Sequence, residues 1–349
     1  MNFEQSDDRR MLSETLRRYL ADGYDLAHRN TVAYDAPFHD PTKWAELTEL
    51  GLFYALVPES HGGMGGHGFD IATVFEELGR ALCPEPVLGQ VMAASLLTDA
   101  DALMAGTRYA VAIGEIDAPY DLQDITTSGL NGRLTGRKSV VYGAPSAEIL
   151  LVAARQNGRI ALFEMPAENT EITGYGMIDG GPAGEVILDD TPATLLLEDA
   201  ENALQNAMDR GALALCAEAL GAMEVVQDTL VDYLTTRKQF GQPLVAFQAL
   251  QHRAIDLAIE IEQARSIVIL AASADGSDAF PKRAAQAKHL VGKVARLVAE
   301  EAIQMHGGIG ITWEYPLSHY AKRLVMIDHQ LGDTDWHLER LIKGLAGRS

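Results

Sequence analysis

The chain has 349 residues, enough for about two or three domains, with 47% hydrophobic and 22% charged residues, a balance that excludes global disorder. Lys and Arg total 28 against 49 Asp and Glu, giving a formal charge of −21, and no Lys/Arg-rich run offers a footing for nucleic acid or an anionic membrane. Two cysteines, Cys83 and Cys216, are too few for a disulfide framework or a zinc site. The polar segment Met1–Arg10 does not read as a signal peptide, and no apolar run approaches the roughly 18 residues of a membrane span. A cytoplasmic location is expected.

Three textures follow one another. Residues 1–108 read as helical, with Met11, Leu12, Leu16, Tyr19 and Leu20 at helical spacing. Further stripes hold Trp44, Leu47 and Leu50, then Ile71, Val74, Phe75 and Leu78. The glycine-rich break Gly62–Gly68 does not stand between a strand and a helix, as a dinucleotide fingerprint requires, so it reads as a structural turn.

Residues 109–198 carry short β-type runs: Tyr109–Ile113, Ser139–Tyr142, Ile149–Val152, Ile160–Phe163 and Glu185–Leu188. Turn signals separate them at Asn131-Gly132, Asn157-Gly158 and Asp179-Gly180-Gly181-Pro182. With no helix-length segment between the runs, an antiparallel sheet is expected. From about 199 the helical period returns. Leu220, Met223, Val226, Leu230 and Leu234 form one stripe, Leu257, Ile261, Ala264 and Val268 another, and Ala287, Leu290, Val294 and Leu297 a third. A turn at Asp275–Asp278, followed by Pro281, divides two of these helices, and 199–349 is expected to form a helical bundle.

His306, His319, His329 and His337 are 13, 10 and 8 residues apart, which fits no compact zinc pattern. No Gly-x-Ser-x-Gly elbow supports a serine nucleophile. Two segments carry more chemistry. Arg237-Lys238-Gln239-Phe240-Gly241-Gln242-Pro243-Leu244, continuing to Phe247-Gln248, joins two helices. As an αα-turn it needs no function, yet it gathers an Arg, several Gln and a Phe able to grip an anion and cover an aromatic face. Gln304-Met305-His306-Gly307-Gly308-Ile309-Gly310 ends a helix in glycines. These serve as a C-cap, or they let backbone approach a phosphate closely.

These two segments, on a helical bundle behind a β-domain, resemble the acyl-CoA dehydrogenases, FAD enzymes that desaturate acyl-CoA thioesters at Cα–Cβ. Leu56-Val57-Pro58-Glu59 with Gly62-Gly63, and Glu76-Glu77-Leu78-Gly79-Arg80, are similar to the family's N-terminal segments. The stretch Tyr320–Asp328 with Leu331-Gly332-Asp333 looks most like the small-subunit branch, which includes the small subunit of pimeloyl-CoA dehydrogenase and partner subunits of heteromeric steroid-side-chain dehydrogenases. The resemblance implies an α+β chain of three domains: N-terminal helical domain 1–108, middle antiparallel β-barrel-like domain 109–198, and C-terminal four-helix bundle 199–349. It also implies FAD bound across a subunit interface, with Arg237, Gln239, Phe240 and Gln248 reaching a neighbour's flavin. Gln304, Gly307 and Gly308 would line its adenine-diphosphate portion. Implied partners are an acyl-CoA substrate and an electron-transfer flavoprotein. The implied assembly is a homodimer or tetramer, or a hetero-oligomer with a larger acyl-CoA dehydrogenase subunit.

The chain departs from the family where the chemistry is done. The family's usual base is a Glu 25 residues after the position of His306, and counting forward reaches Leu331, which cannot accept a proton. Some relatives carry the base as Glu-Arg at the start of the bundle's first long helix, and Asp209-Arg210 looks like that pair. An ungapped count back from Phe240-Gly241 instead reaches Gly211, about 200° round a helix from Asp209. The Thr-Glu…Gly-Ser-Asp loop expected after the first strand is replaced by Gly114–Tyr120. Three readings follow: an acyl-CoA dehydrogenase with Asp209 as base, a non-catalytic partner completing the FAD site of a heteromer, or a flavin oxidase or monooxygenase on the same scaffold.

Overall fold

A computed structural model describes residues 6–346. The chain divides into two compact units, one comprising residues 27–70 and 84–211, the other 1–26, 71–83 and 212–349.

The first unit contains most of α2 (Leu26–Tyr34), then α3 (Pro41–Glu49) and α4 (Leu52–Leu56). After α5 (Gly68–Arg80) leaves it, the unit resumes with α6 (Val87–Ala94) and α7 (Asp101–Met104). A sheet follows: β1 (Tyr109–Ala112), β2 (Ser128–Leu130), β3 (Arg133–Tyr142), β4 (Ile149–Gln156), β5 (Arg159–Pro166), β6 (Glu171–Gly176), β7 (Pro182–Pro192) and β8 (Thr194–Leu197). Its order is β6-β7-β3-β2-β4-β5-β8, with β1 beside β4. Asn131-Gly132 and Asn157-Gly158 take positive φ at both central positions. These left-handed turns match strand twist, closing Leu130 onto Arg133 and Gln156 onto Arg159. The antiparallel expectation needs one correction: β1 pairs with β4 in parallel, as does Ser128 of β2 with Arg155. The connection from β1 runs through other elements before β4, which frees the two strands to run in the same direction. The core of this unit is the aliphatic and aromatic set of β1, β3, β4, β5 and β7, including Leu134, Leu150, Val152, Phe163 and Val186.

The Gly62–Gly68 break belongs to this unit and is a packed turn. A Cβ at Gly63 would fall on the Val57 carbonyl oxygen, one at Gly66 on the backbone of Val57 and Pro58, and Arg210 donates to the Gly66 carbonyl. Gly63 and Gly66 are needed because backbone meets backbone there.

The second unit is helical. It holds α1 (Asp7–Gly23), most of α5, α8 (Glu201–Thr236) from residue 212 onward, α9 (Gln248–Ala272), α10 (Phe280–His306), α11 (Pro316–His329) and α12 (Thr334–Ala346). Within it α5 and α8 cross through reciprocal glycines. A Cβ on Gly79 would strike the Glu218 carbonyl, and one on Gly221 the Glu76 carbonyl. Around the crossing runs an ion network. Arg80 meets Glu76 at 2.8 Å and also pairs with Glu224, Arg265 pairs with Glu224, and Arg17 meets Glu77 at 2.6 Å. The Glu76–Arg80 segment therefore has a structural account of its own. Among the described residues no helix is long and apolar enough to cross a membrane.

Candidate flavin and acyl-CoA site

The segment after α8 is a small hairpin. Strand β9 (Lys238–Gln239) pairs antiparallel with β10 (Gln242–Pro243), and the turn between them holds Phe240 at φ 52° and Gly241 at φ 81°. The αα-turn reading is thus refined into two strands and a left-handed turn. The turn drives the Phe240 ring outward, 89% exposed, with an edge contact to Phe247 at 6.1 Å. Arg237, Lys238, Gln239 and Gln248 are exposed as well. Leu244 N–H donates to the Arg237 carbonyl at 2.8 Å, closing the hairpin's base.

The glycine segment lies beside that base. Tyr233, one turn before Arg237, donates from its hydroxyl to the His306 carbonyl at 3.1 Å, and the two rings stack at 4.4 Å. His306 Nδ1–H donates to the Ala302 carbonyl at 2.8 Å, and burial holds its pKa below the usual imidazole value. Gly307 then adopts φ 66°, ψ −147°, a conformation essentially reserved for glycine. A Cβ at Gly307 or Gly308 would meet nothing within 4 Å, and Gln304, Gly307 and Gly308 are all exposed. An exposed guanidinium, an uncovered aromatic ring and an open glycine turn, joined through Tyr233–His306, fit a ligand with a pyrophosphate and a flat ring system.

Asp209 belongs to the other unit. It lies two turns inside α8, is 1% exposed and has the Gln205 amide at 3.4 Å. The acids near Leu331 cap backbone. Asp333 accepts from Trp336 N–H at 2.8 Å at the start of α12. Asp328 accepts from Thr334 N–H at 3.1 Å and its hydroxyl at 2.7 Å. Asp335 is exposed in the first turn of α12.

Sequence reading missed the group that organises this turn. Lys288 of α10 is fully buried, and its Nζ donates to the Asp328 and Gly332 carbonyls at 2.8 and 2.7 Å. Burial pushes its pKa down to about 8. His337 Nε2–H donates to the Leu331 carbonyl at 3.0 Å, and burial drives that imidazole down to about 3, so it is neutral. The available signal was a lysine on the apolar stripe Ala284, Lys288, Val291, Ala295.

A second buried lysine lies in the sheet unit, beside the Gly114–Tyr120 loop. Lys138 donates to the Ile113 carbonyl at 2.9 Å and to Glu115 at 2.8 Å. Glu115 also accepts from the N–H and hydroxyl groups of Thr126 and Thr127. Burial alone would raise the carboxyl, but these donors outweigh it and hold its pKa down to about 2. Among the described residues no group of His, Cys, Asp and Glu is arranged to hold a metal ion.

The profile described as acyl-CoA dehydrogenase, N-terminal domain, matches residues 6–107, and the C-terminal domain profile matches residues 202–346. The chain is 30% identical to acyl-CoA dehydrogenase IpdE2 of Mycolicibacterium smegmatis, over 96% of this chain and 98% of that protein. It is 32% identical to IpdE2 of Mycobacterium tuberculosis, over 91% of each. The solved structure of the Tcur3481-Tcur3483 steroid ACAD G363A variant superposes with a TM-score of 0.89 at 29% identity, covering 98% of both chains. With profiles at both ends and relatives along nearly its whole length, the chain belongs to the acyl-CoA dehydrogenase family, oxidoreductases whose cofactor is FAD.

Proposed function

We propose that this chain is a subunit of an acyl-CoA dehydrogenase that lends the Arg237–Phe240 hairpin to an FAD site shared with a neighbouring subunit. The carrying observation is Phe240, 89% exposed at the tip of the hairpin beside exposed Arg237. Leaving so large an apolar ring in water forgoes the roughly 1.5–3 kcal/mol that burial of such a side chain yields. Arg237 neutralises the pyrophosphate, Phe240 covers a ring face, and Gln239 and Gln248 supply amide hydrogen bonds. Gln304, Gly307 and Gly308 receive the adenine-diphosphate portion. When bound, FAD would supply the acceptor for the hydride that leaves the β-carbon of the acyl thioester. A carboxylate must take the α-proton, and in this chain Asp209 is the candidate.

A second reading is carried by Leu331, which presents an aliphatic side chain where the family's Glu is expected. On that reading the chain completes the FAD site of a heteromer whose larger subunit holds the base. The paired name of the Tcur3481-Tcur3483 structure supports a two-chain assembly. The domain limits 1–108, 109–198 and 199–349, a cytoplasmic location and electron transfer to an electron-transfer flavoprotein complete the proposal.

The test is the FAD-to-chain ratio of the protein purified alone, read from its visible spectrum, together with its mass in solution. A ratio near one in a dimer or tetramer supports a complete site in this chain's own assembly. A ratio near zero that rises when a larger sister subunit is co-expressed supports the heteromer. Failure to bind FAD in either setting overturns the proposal.

A further inference from the structure

The turn between α11 and α12 is held from several sides although it is only a few residues long. Leu331 sits at φ 54° and Gly332 at φ 93°. A branched aliphatic residue in the left-handed region is strained, and such strain persists only where the surroundings over-determine it. Lys288 fixes the carbonyls on either side of Leu331, those of Asp328 and Gly332, while His337 fixes the Leu331 carbonyl itself. Arg323 donates to the Gln330 amide oxygen at 2.9 Å and is anchored by two short bonds to Glu218. The α10 backbone presses close as well, since a Cβ on Gly292 would fall on the Asp328 carboxylate.

Burying an ammonium is costly, and apolar packing would close a plain helix–helix turn at lower cost. Here the ammonium is spent on two main-chain carbonyls that bracket one half-buried side chain. We propose that Lys288 is the positioning residue for side chain 331, so that whatever stands there leaves the turn in one orientation toward the thioester. This rests on the reading of the chain as an acyl-CoA dehydrogenase subunit. Leu331 then lines the site as a fixed apolar wall against the reacting carbons, and Lys288 sets specificity through it without touching substrate.

The experiment uses full-length, FAD-loaded protein in a Cys83→Ser background, with a trifluoromethyl tag on Leu331→Cys observed by 19F NMR. A control tag on Ser277→Cys, in the exposed turn after α9, reports on the integrity of the same unit. The tag at 331 should give one sharp resonance that shifts on adding free coenzyme A, the portion shared by all acyl-CoA substrates. Lys288→Met should split or broaden it into two or more lines while the control stays single. Lys288→Arg, which restores paired N–H donors, should narrow it again. One unchanged line at 331 in Lys288→Met overturns the proposal. Splitting without any response to coenzyme A leaves Lys288 as the turn's positioning residue and overturns the placement of 331 at the substrate. Should Lys288→Met not fold, Lys288→Gln, whose amide is one bond too short to bridge both carbonyls, takes its place. Broadening supports the proposal and an unchanged sharp line overturns it.

Discussion

Replacing Glu115 with Gln tests whether the buried pair under the Gly114–Tyr120 loop holds the sheet together. The carboxylate accepts five hydrogen bonds, one from Lys138 and four from Thr126 and Thr127. A Gln keeps one oxygen for Lys138 and Thr127 and turns its amide toward Thr126, which is exposed and can bond water instead. The loss therefore falls on Lys138, which at 0% exposure keeps only neutral acceptors among the bonds described, the Gln oxygen and the Ile113 carbonyl, and loses the counter-charge that opposes burial's downward push on its pKa. Breaking one side of such a pair costs about 3–5 kcal/mol. At ~1.4 kcal/mol per tenfold, amides of β3 and β4 should exchange with deuterium about a hundred to a few thousand times faster. Amides of α9 and α10, in the other unit, report whether the effect is local. The double variant Glu115→Gln/Lys138→Met should recover much of the loss, because a buried pair replaced by neutral groups is often tolerated. Acceleration of β3 and β4 by no more than about threefold would refute the reasoning. The pH dependence has a defined sign. Glu115 has its folded pKa at about 2 against an ordinary 4.5, so its contribution is fully present above 4.5 and is lost as pH falls toward 2. Exchange at β3, taken relative to the intrinsic rate of an unprotected amide at each pH, should therefore accelerate on acidification across that window in the native protein, and less in the Gln variant.

Three further outcomes are expected. Arg237→Gln or Phe240→Ala should lower FAD content of the purified assembly, by roughly tenfold in affinity for the charged contact, measured by flavin absorbance after gel filtration. If Asp209 is the base, Asp209→Asn should cut desaturation by about 10²–10⁴-fold with the flavin retained, and retained turnover removes it from that role. Gly221→Ala should destabilise the helical unit by about 3 kcal/mol, because the methyl would meet the Glu76 carbonyl rather than a yielding side chain. Fluorescence of Trp313 and Trp336 during unfolding, in a Trp44→Phe background, reads that loss.

What the sequence made legible was local. Asn157-Gly158 and Asn131-Gly132 announced their turns because the left-handed conformation is a property of those residues themselves. The helical stripes through Leu220–Leu234 and Leu257–Val268 were legible because their period is that of the helix they form. Strands β2, β6 and β8 escaped notice. They are three to six residues long, and β6 is a glycine-containing edge strand without alternation strong enough to register. At the candidate site, Arg237, Phe240, Gly307 and Gly308 were singled out from residue type and from the family resemblance, and the structure brings their segments together through Tyr233 and His306. Lys288 was not found, since its partners are carbonyls at 328 and 332. Main-chain acceptors that far along the chain leave no mark in side-chain pattern.

The helical unit is assembled from three separated stretches of chain, residues 1–26, 71–83 and 212–349. A ribosome delivers them in that order, so α1 and the Gly79 face of α5 emerge long before α8 can receive them. At ~5–20 residues per second the wait is on the order of ten seconds or more. In that interval Leu16, Leu20, Val74 and Phe75, all buried in the finished protein, have no bundle to enter. Segment 27–70 with 84–211 finishes synthesis first and can close its sheet while those helices stand open. A nascent chain stalled before residue 212 should therefore present the N-terminal helices to chaperones or proteases while its sheet is already protected, and the acidic first turn of α1, Asp7 and Asp8, would help keep that exposed helix soluble until α8 arrives.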